Sequence, residues 1–220
     1  MNNEILTQRQ VEILTKIGNE DYFGQNFYLT GGTALAAFYL RHRYSEDLDF
    51  FSEREVDPAI IDVFFKKIKT ELEISSIDFQ QSYNRNLFFL HFTDGEVLKT
   101  EFTYFPFPRI DATRIEVGVS VDSVLDIAVN KLFTIYQRTQ ARDYIDLFFI
   151  CKEFKFDIDG LKQKARIKFD FNIDPLQLGS QFIRVKEAKG YPRMIVDIVD
   201  TEWQDFFMDQ AKKLKPSILF

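Results

Sequence analysis

A chain of 220 residues, 45% hydrophobic and 28% charged, has the composition of a globular protein and the length of one ordinary domain or two small ones. Its net charge of −6 argues against a protein that coats nucleic acid by charge alone, while leaving room for a local basic groove. No apolar run is long enough to cross a bilayer and the opening Met1-Asn-Asn-Glu4 is too polar for a signal peptide. The single cysteine, Cys151, has no internal disulfide partner, so a reducing cytoplasm is the expected location.

In chain order, Ile5, Val11, Leu14 and Ile17 recur at roughly helical spacing and predict a helix over 4–17, followed by a polar connection over 19–26. Phe27, Tyr28 and Leu29 predict a short buried strand. Gly31-Gly32 then lets the backbone turn sharply and approach a ligand, and Thr33–Leu40 opens a helix whose free N–H groups suit an anion such as phosphate. Ser45–Phe51 predicts a second strand, with Ser45, Asp47 and Asp49 on one face and Leu48 and Phe50 on the other. Two carboxylates ~4 Å apart repel by roughly 4 kcal/mol at an effective dielectric of ~20. A divalent cation reverses that sign, and magnesium is commonly held by a few hard oxygen ligands with phosphate supplying the rest. A solvated strand edge satisfies the same pattern.

Pro58 stands near the start of a helix with Ile61, Phe64, Phe65 and Ile68 on one side and Lys66, Lys67 and Lys69 on a solvated other. Strands follow at 77–80, 87–92 and 97–105, the last two joined by an Asp94-Gly95 hairpin. Glu101 shares a strand face with Lys99 and Thr103, and reads either as a functional acid or as a sheet residue paired with Lys99 or a cross-strand base. His91 reads as a core histidine, and two scattered histidines with one cysteine do not support a zinc site. Phe105-Pro-Phe-Pro108 ends the sheet, and 115–121 adds a short strand or crossing segment.

Beyond it, Asp122 or Ser123 caps a helix with an apolar stripe of Val124, Leu125, Ala128, Leu132, Ile135 and Tyr136, and Lys131 at its edge. Arg142, Asp143 and Asp146 open the next helix, where the acids also suit the helix dipole. Asp157 or Asp159 caps a helix carrying Lys162, Lys164, Arg166 and Lys168, Asp174-Pro175 starts another, and Trp203 begins a last one that fades at Pro216. The 162–168 group, Arg184–Arg193 and Arg41-His42-Arg43 are basic clusters that suit a nucleic-acid backbone or solvent.

Gly31-Gly32-Thr33-Ala34-Leu35 followed by Arg43-x-Ser45-x-Asp47-x-Asp49-Phe50 resembles the signature of the AbiEii/AbiGii-type nucleotidyltransferases, a branch of the DNA polymerase β-like superfamily. Lys99-x-Glu101-Phe102, and Lys131-Leu132 with Arg138 and Arg142-Asp143-x-x-Asp146-Leu147, resemble its downstream blocks. The resemblance implies an α+β fold, with a polymerase β-like lobe of mixed or antiparallel sheet over 1–110 and a helical lobe over 111–220 closing the active-site cleft. It implies that Asp47 and Asp49 on one strand and Glu101 on a neighbouring antiparallel strand bind magnesium or manganese. Gly31, Gly32 and Thr33 would hold phosphate, and Ser45 would offer a hydroxyl to the β- or γ-phosphate. Lys131 would reach the triphosphate as a point charge. Asp143 would orient Lys131 or the nucleotide, with Arg142 and Asp146 setting the geometry; which aspartate touches substrate stays open. The implied reaction moves a nucleoside monophosphate from an NTP to an acceptor hydroxyl, which in some toxin members is the 3′ end of a tRNA, and an antitoxin protein is the implied partner. Transfer to a protein or small-molecule hydroxyl, and NTP binding without turnover, are the alternatives.

Overall fold

A computed structural model describes residues 5–218, with side chains to residue 214, so the opening 1–4 lies outside the described residues. The chain forms two compact units that interleave in sequence. One comprises the residues up to 38, 45–108 and 112–123; the other comprises 39–44, 109–111 and everything from 124 onward.

The first unit is built on a seven-stranded mixed sheet. In chain order its strands are β1 Tyr28–Thr30, β2 Leu48–Ser52, β3 Ile74–Ser82, β4 Arg85–Phe92, β5 Val97–Tyr104, β6 Arg114–Glu116 and β7 Val119–Val121. Their spatial order is β3-β4-β5-β2-β1-β7-β6. β2 runs antiparallel to β1 and parallel to β5, with Asp49 opposite Glu101 and Phe50 opposite Phe102. The strand carrying Glu101 is therefore parallel to that of Asp49, where an antiparallel neighbour is expected from the family pattern. β5 is the returning arm of the β4–β5 hairpin, turned at Asp94-Gly95 with Gly95 at φ 89°, and the arm that lies beside β2 runs in its direction. The segment 114–121 also joins this sheet, as a hairpin whose turn places Val117 and Gly118 at φ 50° and 78°. A left-handed backbone is costly for a β-branched residue.

Helix α1, Gln8–Gly18, starts later than its apolar spacing suggests because Thr7 and Gln10 close a capping box at its N-terminus. The predicted polar connection after it holds a short helix, α2 Asp21–Asn26, that buries Phe23 against Phe64 and Phe102. Helix α3 begins at Gly31 itself and widens from Ala36 to Leu40 into a π turn. Helix α4, Pro58–Ile68, is capped by Asp57 and buries the predicted Ile61, Phe64, Phe65 and Ile68. These rings meet Phe88 and Phe102 of the sheet, and Phe50 stacks on Phe102 at 5.0 Å, so aromatic packing builds this core.

The second unit is helical: α5 Val124–Gln137, α6 Ala141–Phe154, α7 Ile158–Phe169, α8 Pro175–Ile183, a 3-10 turn Arg184–Glu187 and α9 Asp200–Ile218. α7 and α8 are capped by Asp157 and Asp174, as their sequences predict, whereas α9 begins before Trp203 and runs past Pro216. Tyr144, Phe182, Trp203 and Phe207 form its aromatic centre. Lys168 does not join a basic surface with Lys162–Arg166: it is buried, and its Nζ donates to Asp126 Oδ1 at 2.6 Å. Asp126 also accepts the backbone N–H groups of Ile110 and Asp111, which ties the start of α5 to that passing segment.

Candidate active site

In the sheet unit the glycine turn lies against Asp49. Gly31 opens α3 at φ 71°, and a Cβ added there would lie 2.8 Å from Asp49 Oδ2. Both the torsion and the close approach require glycine. Gly32 and Thr33 are buried beside it. The Thr33 hydroxyl donates to the Asp47 carbonyl.

Ser45 and Asp47 lie outside β2, which begins at Leu48, a shorter strand than the alternation predicts. The reason is a competing set of partners. Gln10 Nε2 donates to the carbonyls of Ser45 and Glu46 at 3.0 and 3.2 Å, and Thr33 takes that of Asp47, so these groups are bound to side chains rather than to a neighbouring strand. Gln10 is fully buried, and its role had no local signal because the carbonyls it binds lie more than thirty residues away.

Each of two acids carries a base. Lys99 Nζ donates to Asp47 Oδ2 at 2.6 Å. Arg85, the first residue of β4, donates to Glu101 Oε1 and Oε2 at 2.6 Å through Nε and Nη2, and Thr103 Oγ1 adds a bond to Oε1 at 2.8 Å. Burial raises the Glu101 pKa, but the hydrogen bonds and charge of Arg85, with Thr103, outweigh it and hold the carboxyl below its usual range. The Arg85 pKa is raised in turn, first by its bond to Glu101, and the charges of Asp49 and Asp47 also reach it.

Among the described residues no three His, Cys, Asp or Glu side chains converge as ligands of one metal ion. The donor chemistry nonetheless fits a hard divalent cation: carboxylate oxygens only, with Asp49 and Glu101 as register partners and Asp47 two residues before Asp49.

In the helical unit a second group of charges is tied together. Asp146, 0% exposed, accepts from His42 Nε2 at 2.8 Å and Arg43 Nε at 2.6 Å on Oδ1, and from Arg43 Nη2 at 2.8 Å on Oδ2. Lys131 Nζ lies 2.6 Å from the same Oδ2 and 2.8 Å from Asp143 Oδ1. Arg138 donates to Asp143 Oδ2 at 3.0 and 3.1 Å. Burial works against ionisation of Asp146, yet Arg43 and Lys131 hold its carboxyl well below the usual range. Asp143 is lowered likewise by Lys131 and Arg138 against the same penalty. Lys131 is raised, its burial outweighed by the two aspartates.

His42 and Arg43 are thus buried partners of Asp146 rather than part of a basic surface, and Arg142 is exposed while Arg43 and Arg138 make the bonds to the aspartates. Arg138 was legible from the downstream block; the Asp146 bonds of His42 and Arg43 span more than a hundred residues and had no local signal. Cys151 is buried, and that burial, with the charge of Asp157, pushes its thiol up to about 12, as befits a core residue. No helix among the described residues is long and apolar enough to cross a membrane.

The profile of the family described as "Nucleotidyl transferase AbiEii toxin, Type IV TA system" matches residues 13–217. An uncharacterized protein of Aquifex aeolicus (strain VF5) is 27% identical over 192 residues, 86% of this chain and 87% of that one. JHP933 from Helicobacter pylori superimposes with a TM-score of 0.60 at 21% identity, over 96% of this chain and 90% of its own. The nucleotidyltransferase toxin MenT4 from Mycobacterium tuberculosis H37Rv superimposes with a TM-score of 0.57 at 15% identity, over 93% and 82%. The fold is α+β and is shared with these two structures.

Proposed function

This chain belongs to the AbiEii nucleotidyltransferase toxin family, and from that premise we propose that it moves a nucleoside monophosphate from an NTP to an acceptor hydroxyl, releasing pyrophosphate. The observation that carries the reading is the approach of Gly31 to Asp49 at the head of α3. It sets amide N–H groups that suit phosphate beside a carboxylate that suits a cation, and a metal-bound triphosphate needs both.

Asp47, Asp49 and Glu101 would hold magnesium or manganese. Once bound, such a cation neutralises phosphate charge and makes an acceptor hydroxyl easier to deprotonate. The chain's own residues supply position. Gly31, Gly32 and Thr33 offer backbone N–H groups to phosphate, and the Ser45 hydroxyl, on a segment held by Gln10, turns to the β- or γ-phosphate. In the helical unit, Lys131 is the phosphate-binding cation and Asp143 orients it; Arg142 is a further phosphate ligand. Asp146, enclosed by His42, Arg43 and Lys131, acts by holding that lysine in place. Positioning and charge neutralisation of this kind supply most of the rate in phosphoryl transfer.

The acceptor we assign is tRNA; the biological role we assign, that of a toxin countered by an antitoxin protein, is in keeping with the family's description as the toxin of a toxin–antitoxin system. The lone buried cysteine suits a reducing cytoplasm. The test is incubation of the purified protein with each α-labelled NTP, magnesium and total bacterial RNA, beside Asp49→Asn. Label entering tRNA-sized RNA with wild type alone is the expected result. Label on protein would move the acceptor to a protein hydroxyl. Bound nucleotide with no label transferred would leave a nucleotide-binding module and sink the enzyme reading.

A further inference from the structure

In the arrangement the structure holds, both oxygens of Glu101 already face a cationic partner. Both its oxygens accept from Arg85 at 2.6 Å, Oε1 also accepts from Thr103, and Lys99 Nζ stands 3.9 Å from Oε2. A fork-to-fork pair of this kind is among the stronger protein ion pairs; with Thr103 it fills three of the carboxylate's roughly four lone-pair sites and sets a positive charge where a cation would have to approach. The two partners differ in exposure: the Glu101 side chain is 6% exposed and that of Arg85 52%. Glu101 is anchored in β5 between its neighbours, whereas the guanidinium can leave toward water and recover its hydration.

We propose that Arg85 is the resident counter-ion of Glu101, which a divalent cation must displace, so that Arg85 sets the metal affinity of the Asp47–Asp49–Glu101 row. Displaced toward solvent, the guanidinium becomes available to a phosphate. The same arginine thereby makes metal binding weak without nucleotide and favourable with it. Arg85 is a positioning residue in this role, and the inference rests on the reading that the three acids hold the cation.

The test measures Mn2+ binding to the purified protein without nucleotide, from the loss of the free-ion electron paramagnetic resonance signal. Arg85→Met should tighten binding about tenfold, and Arg85→Lys, which keeps charge without the fork, by less. In the Glu101→Gln background the Arg85→Met change should have less than about a twofold effect, because the coupling runs through that carboxylate. An equal effect in both backgrounds would mean long-range charge alone and overturn the proposal, as would no tightening in Arg85→Met with a native circular dichroism spectrum. Asp49→Asn separates the two readings. If it leaves Mn2+ binding unchanged, the acids do not hold the cation and the functional assignment fails. If it weakens binding while Arg85→Met does not strengthen it, only the role of Arg85 fails.

Discussion

Gly31 shows how much one missing methyl group decides. Its φ of 71° and the 2.8 Å from a would-be Cβ to Asp49 Oδ2 are separate constraints, one on the backbone and one on the neighbouring acid. Alanine at this position would adopt a disfavoured torsion and push Asp49 aside. The cost to stability is about 1–3 kcal/mol. The cost to transfer is larger, about a hundredfold, because a displacement on the order of 1 Å at a reacting centre has that effect. Gly31→Ala should therefore unfold at a modestly lower denaturant midpoint yet lose nearly all turnover. Equal retention of both would remove the close approach from the site.

At the level of elements, the ion pair between α7 and α5 carries more than its two residues. Lys168 and Asp126 are both 0% exposed, and Asp126 also holds the N–H groups of Ile110 and Asp111. Such a pair adds little net stability over apolar residues of the same shape, but breaking one side strands the other charge in the interior. Lys168→Met should cost about 3–5 kcal/mol, read from chemical denaturation. Combining it with Asp126→Asn should cost less than the sum of the single changes. A neutral Lys168→Met would mean that solvent reaches Asp126. The same logic explains why the basic run 162–168 is not one surface: helical periodicity sends Lys168 inward while its neighbours stay out.

Across the whole molecule, acid stability should follow the carboxylates that bases hold ionised. Asp146 titrates well below its unfolded value of about 3.9, and Asp143 and Glu101 are lowered in the same direction. A depressed folded pKa contributes stability that is complete above the unfolded value and is lost as pH falls through it toward the folded one. Wild type should lose stability steeply below about pH 4. Asp146→Asn should begin less stable at neutral pH, since His42, Arg43 and Lys131 lose their common anion, and show a shallower acid slope. Thermal melts across that range check it, and an unchanged slope would place the sensitivity in other groups.

What came from the sequence by itself depends on residues a few positions apart. The glycine turn, the alternation that buries Leu48 and Phe50, the Asp94-Gly95 hairpin, the Asp157 and Asp174 caps and the amphipathic faces of α4 and α5 are of this kind. So is the spacing of the acid and Lys…Arg-Asp blocks that marks the family. Only tertiary structure decided which charge meets which: Arg85 with Glu101, Lys99 with Asp47, His42 and Arg43 with Asp146, and Gln10 with the segment before β2. It also decided that β5 lies parallel to β2. The physical reason is range. Torsional preference and hydrophobic period act along the chain, whereas burial forces a charge to find its partner wherever the fold brings one.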